Sequence, residues 1–249
     1  MRIHILTLFP EMFQGPFHNS IVNRAVNRGL VDINLHDIRK YTHDRHQTTD
    51  DSQFGGGGGM VMKPEPIFEG VESILAALTQ LEMARTRVIL TSPQGKVLDQ
   101  TFVEELASQL HLIVICGHYD GIDERVREHL ITDDVSIGDY VLTGGEIAAM
   151  VLTDSVVRLL PQAVGSRTSV ARDSITSGLL QHPLYTRPAQ FRGWEVPDVL
   201  LSGNHEEIKR WRRERSLEKT IRCRPKLLDD AHLTSQDTRF LKWRGRENE

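Results

Sequence analysis

Three consecutive strand-and-loop units between residues 87 and 161 place the strongest constraint on how this chain can fold. Each unit begins with an apolar run and ends in a loop of small, polar or glycine residues. The apolar runs cover residues 88–91, 112–116 and 134–137, and the loops that follow cover residues 92–95, 117–125 and 138–146. Loops at the carboxyl ends of neighbouring parallel strands are where open α/β sheets bind ligands. We therefore predict a small-molecule site in this stretch.

The fold class follows from the alternation of strands and helices along the chain. Residues 3–9 and 30–36 are predicted as further strands, and helical periodicity covers residues 19–28, 64–81, 98–110, 123–130 and 145–160. This alternation indicates a mostly parallel α/β sheet with helices on both faces. We predict a ligand-binding domain at residues 1–161, a flexible linker at 162–177 and a smaller, mainly helical C-terminal domain at 178–249.

Composition and charge indicate the cellular compartment and the type of binding partner. The chain has 249 residues and two cysteines, Cys116 and Cys223, which excludes a disulfide framework and favours a reducing compartment. Neither a signal peptide nor a membrane-spanning run is recognisable, so we expect a cytoplasmic protein. Residues 209–226 contain nine Lys or Arg and only two Glu, although the formal net charge of the whole chain is −4. This block favours a polyanionic partner, and a solvated helix face is the alternative.

The ligand is not expected to be a dinucleotide or ATP. Neither G-x-G-x-x-G nor G-x-x-x-x-G-K-[ST] occurs, and the glycine run at 55–59 ends in Met60, which fits neither pattern. Lys96 is the only lysine near the three loops. Backbone-rich loops with few charges suit an adenosine ligand without phosphates.

The loop motifs resemble the TrmD family of bacterial tRNA (guanine-N1)-methyltransferases. They read SPQG at 92–95, CGHYDGIDER at 116–125 and SIGDYVLTGGE at 136–146. The resemblance continues in LFPEMF at 8–13, DRH at 44–46 and LSGNH at 201–205, so it spans nearly the whole chain. It implies a SPOUT methyltransferase, whose sheet carries a deep trefoil knot, a rare exception among protein folds.

The resemblance also implies that S-adenosylmethionine binds among the three loops. Carried over residue by residue, the cofactor-binding positions are Leu90, Thr91, Ser92, Pro93, Gln94, Gly117, Tyr119, Asp120, Ile137, Gly138, Asp139, Tyr140, Val141, Leu142, Gly144 and Gly145. Glycines in such loops let the backbone approach a ligand closely.

Two residues are implied to act on the substrate, the guanosine 3′-adjacent to the anticodon at tRNA position 37. Guanine N1 carries a proton, so methylation there requires a general base, and a donor at O6 stabilises the developing charge. The family places these roles at Asp173 and Arg158. Without the resemblance, Asp173 would be interpreted as a helix N-cap and Arg158 as complementing a helix C-terminus.

The remaining implied partners are tRNA and a second copy of the chain. The basic block supplies Lys209, Arg210, Arg213, Arg222 and Arg224 as candidate tRNA contacts, and the homodimer is expected to share each active site between subunits. Neither a membrane nor DNA is expected as a partner. Core packing is the favoured role of Trp194, Trp211 and Trp243, and stacking on bases is the alternative. Mg²⁺ is expected from the family without identifiable ligands, and the His43/His46 pair is weak evidence for a metal site.

Departures from the family pattern leave alternatives open. Gly58 stands where proline is frequent, His118 and Asp120 replace Arg and Glu, and Cys223 replaces a common arginine. Two further hypotheses remain: a SPOUT enzyme that methylates a different RNA position, and a catalytically silent RNA-binding protein.

Overall fold

The chain forms two compact units, Met1–Gly165 and Ser166–Glu249. The structure, a computed structural model, describes residues 1–164, 173–176 and 178–247, with side chains as far as residue 243. Residues 165–172 and 177 of the predicted linker lie outside the described residues. The flexibility of residues 162–177 and the assignment of residues 178–249 as a separate domain stay predictions.

The first unit is built on a five-stranded parallel sheet. Its strands are β1 (Arg2–Thr7), β2 (Asp32–Asp37), β5 (Thr86–Val97), β6 (His111–Cys116) and β7 (Asp133–Ser136), in the order β2-β1-β6-β5-β7. Every neighbouring pair is parallel. The predicted mostly parallel α/β sheet is therefore confirmed. β3 (Asp50–Ser52) and β4 (Met60–Met62) form a separate antiparallel pair.

Helices cover both faces of this sheet. They are α1 (Gln14–Phe17), α2 (Ser20–Asn27), α3 (Pro64–Leu75), α4 (Gln80–Met83), α5 (Gln100–Ala107), α6 (Glu124–His129) and α7 (Glu146–Val157), with 3₁₀ turns at Pro10–Phe13 and Ile38–Tyr41. Several starts are capped as their sequences require: the Asp99 carboxylate accepts a hydrogen bond from Phe102 N at 2.8 Å at the start of α5.

The central strand β6 separates two hydrophobic cores. Its alternate residues Leu112 and Val114 pack with side chains of α2, α5 and α7, whereas Ile113 and Ile115 pack with those of α3 and α6. All six residues of β6 are buried, which explains why five of them form the continuous apolar run at 112–116. Each such side chain contributes about 1.5–3 kcal/mol through burial. The two cores hold the carboxyl ends of β5, β6 and β7 in fixed positions.

Three elements differ from their predicted extents. Residues 37–62 show no periodicity in the sequence and had no predicted element, yet this segment contains the β3–β4 pair. β5 continues through residues 92–95, which were expected to form a loop, because it pairs with β7 at Thr91 and again at Lys96 across a bulge. Helix α3 ends at Leu75 rather than near residue 81, since a capping box at Thr79 starts α4.

The second unit is mainly helical in its described part. It contains a short hairpin of β8 (Gln190–Phe191) and β9 (Trp194–Glu195), then α8 (Asp198–Leu201), α9 (His205–Cys223), a 3₁₀ turn at Pro225–Leu228 and α10 (Ser235–Glu247). Asn204 caps α9, as its spacing from Glu207 predicts, and its Oδ1 accepts from Glu207 N at 3.3 Å. Within the residues described, no helix is both long and apolar enough to cross a membrane.

Candidate functional site

A cavity of about 330 Å³ opens at the carboxyl ends of β5, β6 and β7. Its wall comes from all three of the strand-and-loop units that dominate the sequence. The lining residues are Leu90, Thr91, Ser92, Pro93, Gln94, Gly117, His118, Tyr119, Asp120, Gly121, Ile122, Arg127, Val135, Ser136, Ile137, Gly138, Tyr140, Val141, Leu142, Thr143, Gly144, Gly145 and Ala148. The volume falls in the range of small-molecule sites.

One buried junction ties the three loops together. Gly145 N donates to Gly117 O at 2.7 Å, joining the third loop to the second. The buried Thr91 hydroxyl lies 3.1 Å from Ile115 O and 3.3 Å from Gly145 O, joining both to the end of β5. The loops therefore form one wall rather than three independent turns.

Gly145 is required at this junction because nothing larger fits. A Cβ added there would lie 2.1 Å from Thr91 Oγ1, 2.8 Å from Gly117 N and 2.9 Å from Cys116 Cα. Two of those atoms belong to backbone, which cannot swing away as a flexible side chain can. The backbone of α7 thus begins in direct contact with β6.

The second loop is held from outside by β4, the strand that follows the glycine run. Asp120 N donates to Met60 O at 3.1 Å, Met62 N to Gly121 O at 2.9 Å, and Asp123 N to Met62 O at 3.0 Å. Gly59 has a backbone φ of 91°, which residues with a Cβ rarely adopt, so this position favours glycine. This role of residues 59–62 was not predicted, because pairing between segments about 60 residues apart leaves no local pattern.

The lining cation, Arg127, is paired within the protein. Ser92 Oγ donates to Asp134 Oδ1 at 2.7 Å, and Asp134 also pairs with Arg127, which lines the cavity. Tyr119 adopts a left-handed backbone with φ of 58°. Burial and the Asp50 carboxylate raise the pKa of Tyr119, so its hydroxyl stays protonated at neutral pH. The wall therefore offers backbone groups and hydroxyls more than free charges.

The cavity contains fifteen of the sixteen residues predicted to bind the cofactor. Asp139 is exposed and is not among the lining residues. Eight further lining residues were not assigned to a ligand from the sequence: His118, Gly121, Ile122, Arg127, Val135, Ser136, Thr143 and Ala148. Arg127 and Ala148 lie on α6 and α7, and no motif marks them. The ligand-binding roles of all these residues stay predictions.

The two proposed substrate-acting residues belong to different units. Arg158 is the half-buried C-cap of α7 in the first unit, and its backbone N donates to Asp154 O at 3.1 Å. Asp173 is half-buried and is the first residue described in the second unit. Ala171 and Arg172, which precede it, lie outside the described residues.

The cations of the basic helix α9 differ in their surroundings, since some are exposed to solvent and Arg213 is paired with a carboxylate. Lys209, Arg210, Arg222 and, just after the helix, Arg224 are exposed. Arg213 instead makes a two-pronged pair with Asp237, with Nε to Oδ1 at 3.1 Å and Nη2 to Oδ2 at 3.0 Å. Burial opposes the charge on Asp237, yet hydrogen bonds from Arg213 and Thr234 hold its pKa below the usual value. Arg213 therefore supports the packing of α10 on α9.

The tryptophans differ in how they pack. Trp211 is half-buried on α9 and lies near the rings of His182 and Tyr185. Trp194 is 70% exposed in the β8–β9 hairpin beside Phe191, and Trp243 is 54% exposed. The core role favoured for all three is wrong for Trp194 and Trp243, because a two-stranded hairpin and a terminal helix leave one face unpacked.

No cluster of three His, Cys, Asp or Glu side chains with metal-binding geometry occurs in the described part of the chain. His43 Nε2 lies 2.8 Å from the Glu69 carboxylate, and Asp44 accepts from the backbone N of His46 and Thr48. These contacts stabilise the loop that contains the two histidines.

Comparison with known proteins identifies close relatives over nearly the whole chain. The profile of the family described as tRNA (Guanine-1)-methyltransferase TrmD matches residues 1–230. Proteins named tRNA (guanine-N(1)-)-methyltransferase are 52% identical in Dehalococcoides mccartyi, 53% in Halalkalibacterium halodurans and 54% in Geobacter metallireducens. Each alignment covers 97% of this chain and 96% of the relative.

The junction at Gly145 can be tested by adding one methyl group. We expect Gly145→Ala to lower the free energy of unfolding by about 3 kcal/mol, because the new Cβ overlaps backbone atoms. Gly15→Ala is the matched control, since nothing lies within 4 Å of its added Cβ, and it should change stability by under about 0.5 kcal/mol. Urea unfolding measures both. Equal effects of the two substitutions would contradict the packing described at Gly145.

Proposed function

Because the chain belongs to the TrmD family of tRNA (guanine-1)-methyltransferases, we propose how its residues carry out the reaction. The enzyme transfers a methyl group from S-adenosylmethionine to N1 of the guanosine 3′-adjacent to the anticodon. The observation that carries the proposed donor site is the cavity at the ends of β5, β6 and β7, which gathers the loops of the family motifs.

The cavity suits S-adenosylmethionine in size and in chemistry. Its 330 Å³ accommodates a ligand of this class when part of the ligand faces solvent. Gly117 and Gly144 are half-buried glycines of the cavity wall, where the lack of a side chain lets an adenine ring approach the backbone, and apolar side chains such as Leu90 and Ile137 flank them. No lysine is among the lining residues, as expected for a ligand without phosphates. The bound donor supplies an electrophilic methyl group on a positively charged sulfur.

A trefoil knot is the proposed topology of this region. Its support lies in the order of the strands, since β5 lies between β6 and β7. After β7 the chain returns to contact Thr91 and Gly117 before α7 begins. The proposal that the chain is knotted here rests on the family resemblance.

Asp173 and Arg158 are the proposed groups that act on the guanine. Asp173 accepts the N1 proton, which gives N1 the electron pair that the methyl group needs. Arg158 donates to O6, where negative charge accumulates as that proton leaves. We propose that two copies of the chain assemble as a homodimer that shares each active site. This assembly and both residue roles rest on the family resemblance.

The second unit is the proposed tRNA-docking part of each subunit. Four exposed cations at Lys209, Arg210, Arg222 and Arg224 support this role, because such side chains neutralise backbone phosphates.

The proposed location is the cytoplasm. Cys116 is buried and Cys223 is exposed, and both are free thiols, which agrees with a reducing compartment. A requirement for Mg²⁺ stays a prediction without assigned ligands.

Methyl transfer from labelled S-adenosylmethionine to tRNA transcripts tests the proposed reaction. We expect label in transcripts with guanosine next to the anticodon, none in matched transcripts with adenosine there, and 1-methylguanosine as the product nucleoside. A different labelled nucleoside would favour a SPOUT enzyme with another target. Absence of transfer to any transcript would favour the silent RNA-binding protein.

Asp173→Asn separates proton removal from donor binding. We expect single-turnover methylation to fall by about 100-fold or more, because the amide cannot accept the N1 proton. Calorimetry should show S-adenosylmethionine affinity unchanged. Asp230→Asn, at an exposed site in the same unit, is the control with unchanged rate. A normal methylation rate in Asp173→Asn would contradict the assignment of Asp173 as the general base.

Lys209→Ala tests whether the exposed face of α9 binds phosphates. Plotted as log affinity against log salt, tRNA binding should lose about one unit of slope, because one phosphate contact disappears. Arg24→Ala on α2 provides a control surface cation and should leave the slope unchanged. An unaltered slope for Lys209→Ala would identify this face as merely solvated.

Arg213 should behave differently from Lys209 although both lie on α9. Arg213→Ala leaves Asp237, only 4% exposed, without its cation, and we expect a stability loss of about 2 kcal/mol. Thermal unfolding at several salt concentrations distinguishes this loss from weaker tRNA contact. A fully stable Arg213→Ala protein with reduced tRNA affinity would restore the direct role predicted from the sequence.

A further inference from the structure

The C-terminal unit contains a cavity of its own, with a volume of about 270 Å³. We call it the α8–α9 pocket, because both helices contribute to its wall together with the segment before β8 and the residue after β9. Its described lining residues are His182, Pro183, Leu184, Tyr185, Thr186, Arg187, Ala189, Val196, Leu200, Leu201 and Arg212. The volume lies just below the roughly 300–1,000 Å³ of sites for whole cofactors, so it suits a single planar ring system.

The wall of the α8–α9 pocket is held by backbone pairing and by an aromatic cluster. Val196 N donates to Ala189 O at 2.9 Å, which joins the two ends of the β8–β9 hairpin. The ring of the half-buried Trp211 lies 6.4 Å from the rings of His182 and Tyr185, measured between centroids. The pocket therefore has a preformed aromatic side.

The apolar lining is left open to solvent. Tyr185 is 50% exposed, Leu184 69% and Leu201 61%, and all three line the pocket. Exposed apolar side chains gathered at one concave site mark binding surfaces, whereas single scattered ones do not. A flat ring that enters the pocket would stack on Tyr185 and cover the two leucines.

Charge indicates the class of ligand. Arg187 and Arg212 line the pocket and are exposed, and neither Asp nor Glu occurs among its described lining residues. On α9, Arg213 is paired with Asp237, whereas Arg187 and Arg212 have no ion pair within the described part of the chain. An apolar protein segment in this pocket would leave both guanidinium groups without a counter-charge. A flat ring attached to a phosphate satisfies the apolar lining and the arginines together.

The position of Arg212 connects the pocket with the proposed phosphate-binding face of α9. Lys209 lies three residues before Arg212 on this helix, so their side chains are neighbours on its surface. A nucleic-acid strand whose phosphates contact these two cations can therefore place a base against Tyr185. Bases within a duplex stack on their neighbours, so only an unpaired base can enter.

We propose that the α8–α9 pocket binds an unpaired base of the tRNA other than the target guanine. Tyr185 stacks on this base, Leu184 and Leu201 flank it, and Arg212 contacts its phosphate. The pocket thereby favours looped RNA over a continuous duplex. This inference rests on the proposed function, since the ligand is the tRNA substrate itself.

Filter binding of the full chain to a tRNA transcript, at several salt concentrations, tests the pocket. Tyr185→Leu should raise the Kd by about tenfold and leave the salt slope unchanged, because it removes stacking and no phosphate contact. Tyr185→Phe keeps the ring and should change the Kd by less than about twofold. Arg212→Gln should lower the salt slope by about one unit, because one phosphate contact disappears.

Two controls separate base binding from other effects. Phe191→Leu is the matched variant, since Phe191 is 55% exposed in the same unit but is not among the lining residues, and it should leave tRNA affinity unchanged. A fully paired RNA duplex is the matched probe, and Tyr185→Leu should bind it as tightly as the unchanged chain does. An equal loss of affinity in Phe191→Leu, or for the duplex, would overturn the proposal.

Unchanged tRNA affinity in Tyr185→Leu would also overturn it, and a changed oligomeric state of that variant in sedimentation would then identify an interface between copies of the chain. Circular dichroism verifies folding. If Tyr185→Leu does not fold, Leu201→Glu decides the question, because a carboxylate at this exposed position repels the phosphate and should raise the Kd by about tenfold or more. Failure of the unchanged chain to methylate any tRNA would instead refute the proposed function.

Discussion

The hydrogen bond from Gly145 N to Gly117 O, 2.7 Å long, is the contact on which the candidate site depends. It brings the start of α7 against the end of β6, and the Thr91 hydroxyl joins the end of β5 to the same point. Because these groups are buried, each would be costly to leave unpaired. The junction therefore sets the positions of all three loops, and the cavity is the space that they leave.

The same junction explains the distribution of charge around the cavity. A site built from backbone groups needs few ionised side chains, and Ser92, Arg127 and Asp134 satisfy one another at its edge. Glu146 is the exception, since it is buried directly behind the loop that contains Gly144.

Local sequence patterns predicted the elements better than their pairings. The buried run of β6 and the Asn204 cap of α9 were recognisable because each depends on residues close together in the chain. The pairing of residues 60–62 with the second loop was not, since its partners lie about 60 residues apart and neither segment is periodic. The extension of β5 past Thr91 was missed for the same reason, because β7 supplies its second register.

The sequence by itself determined the parallel α/β class, the family and the three loops that form the cavity, because motifs and periodicity are local properties of the chain. The tertiary structure decided which of the candidate binding side chains are instead paired with groups of the protein itself. Arg213 is equivalent to Lys209 in a list of basic residues, yet only Arg213 meets a buried carboxylate on another helix. The His118 Nδ1 likewise lies 3.9 Å from the carboxylate of Glu146, a residue 28 positions away. Such roles depend on distances in space, which spacing along the chain does not encode.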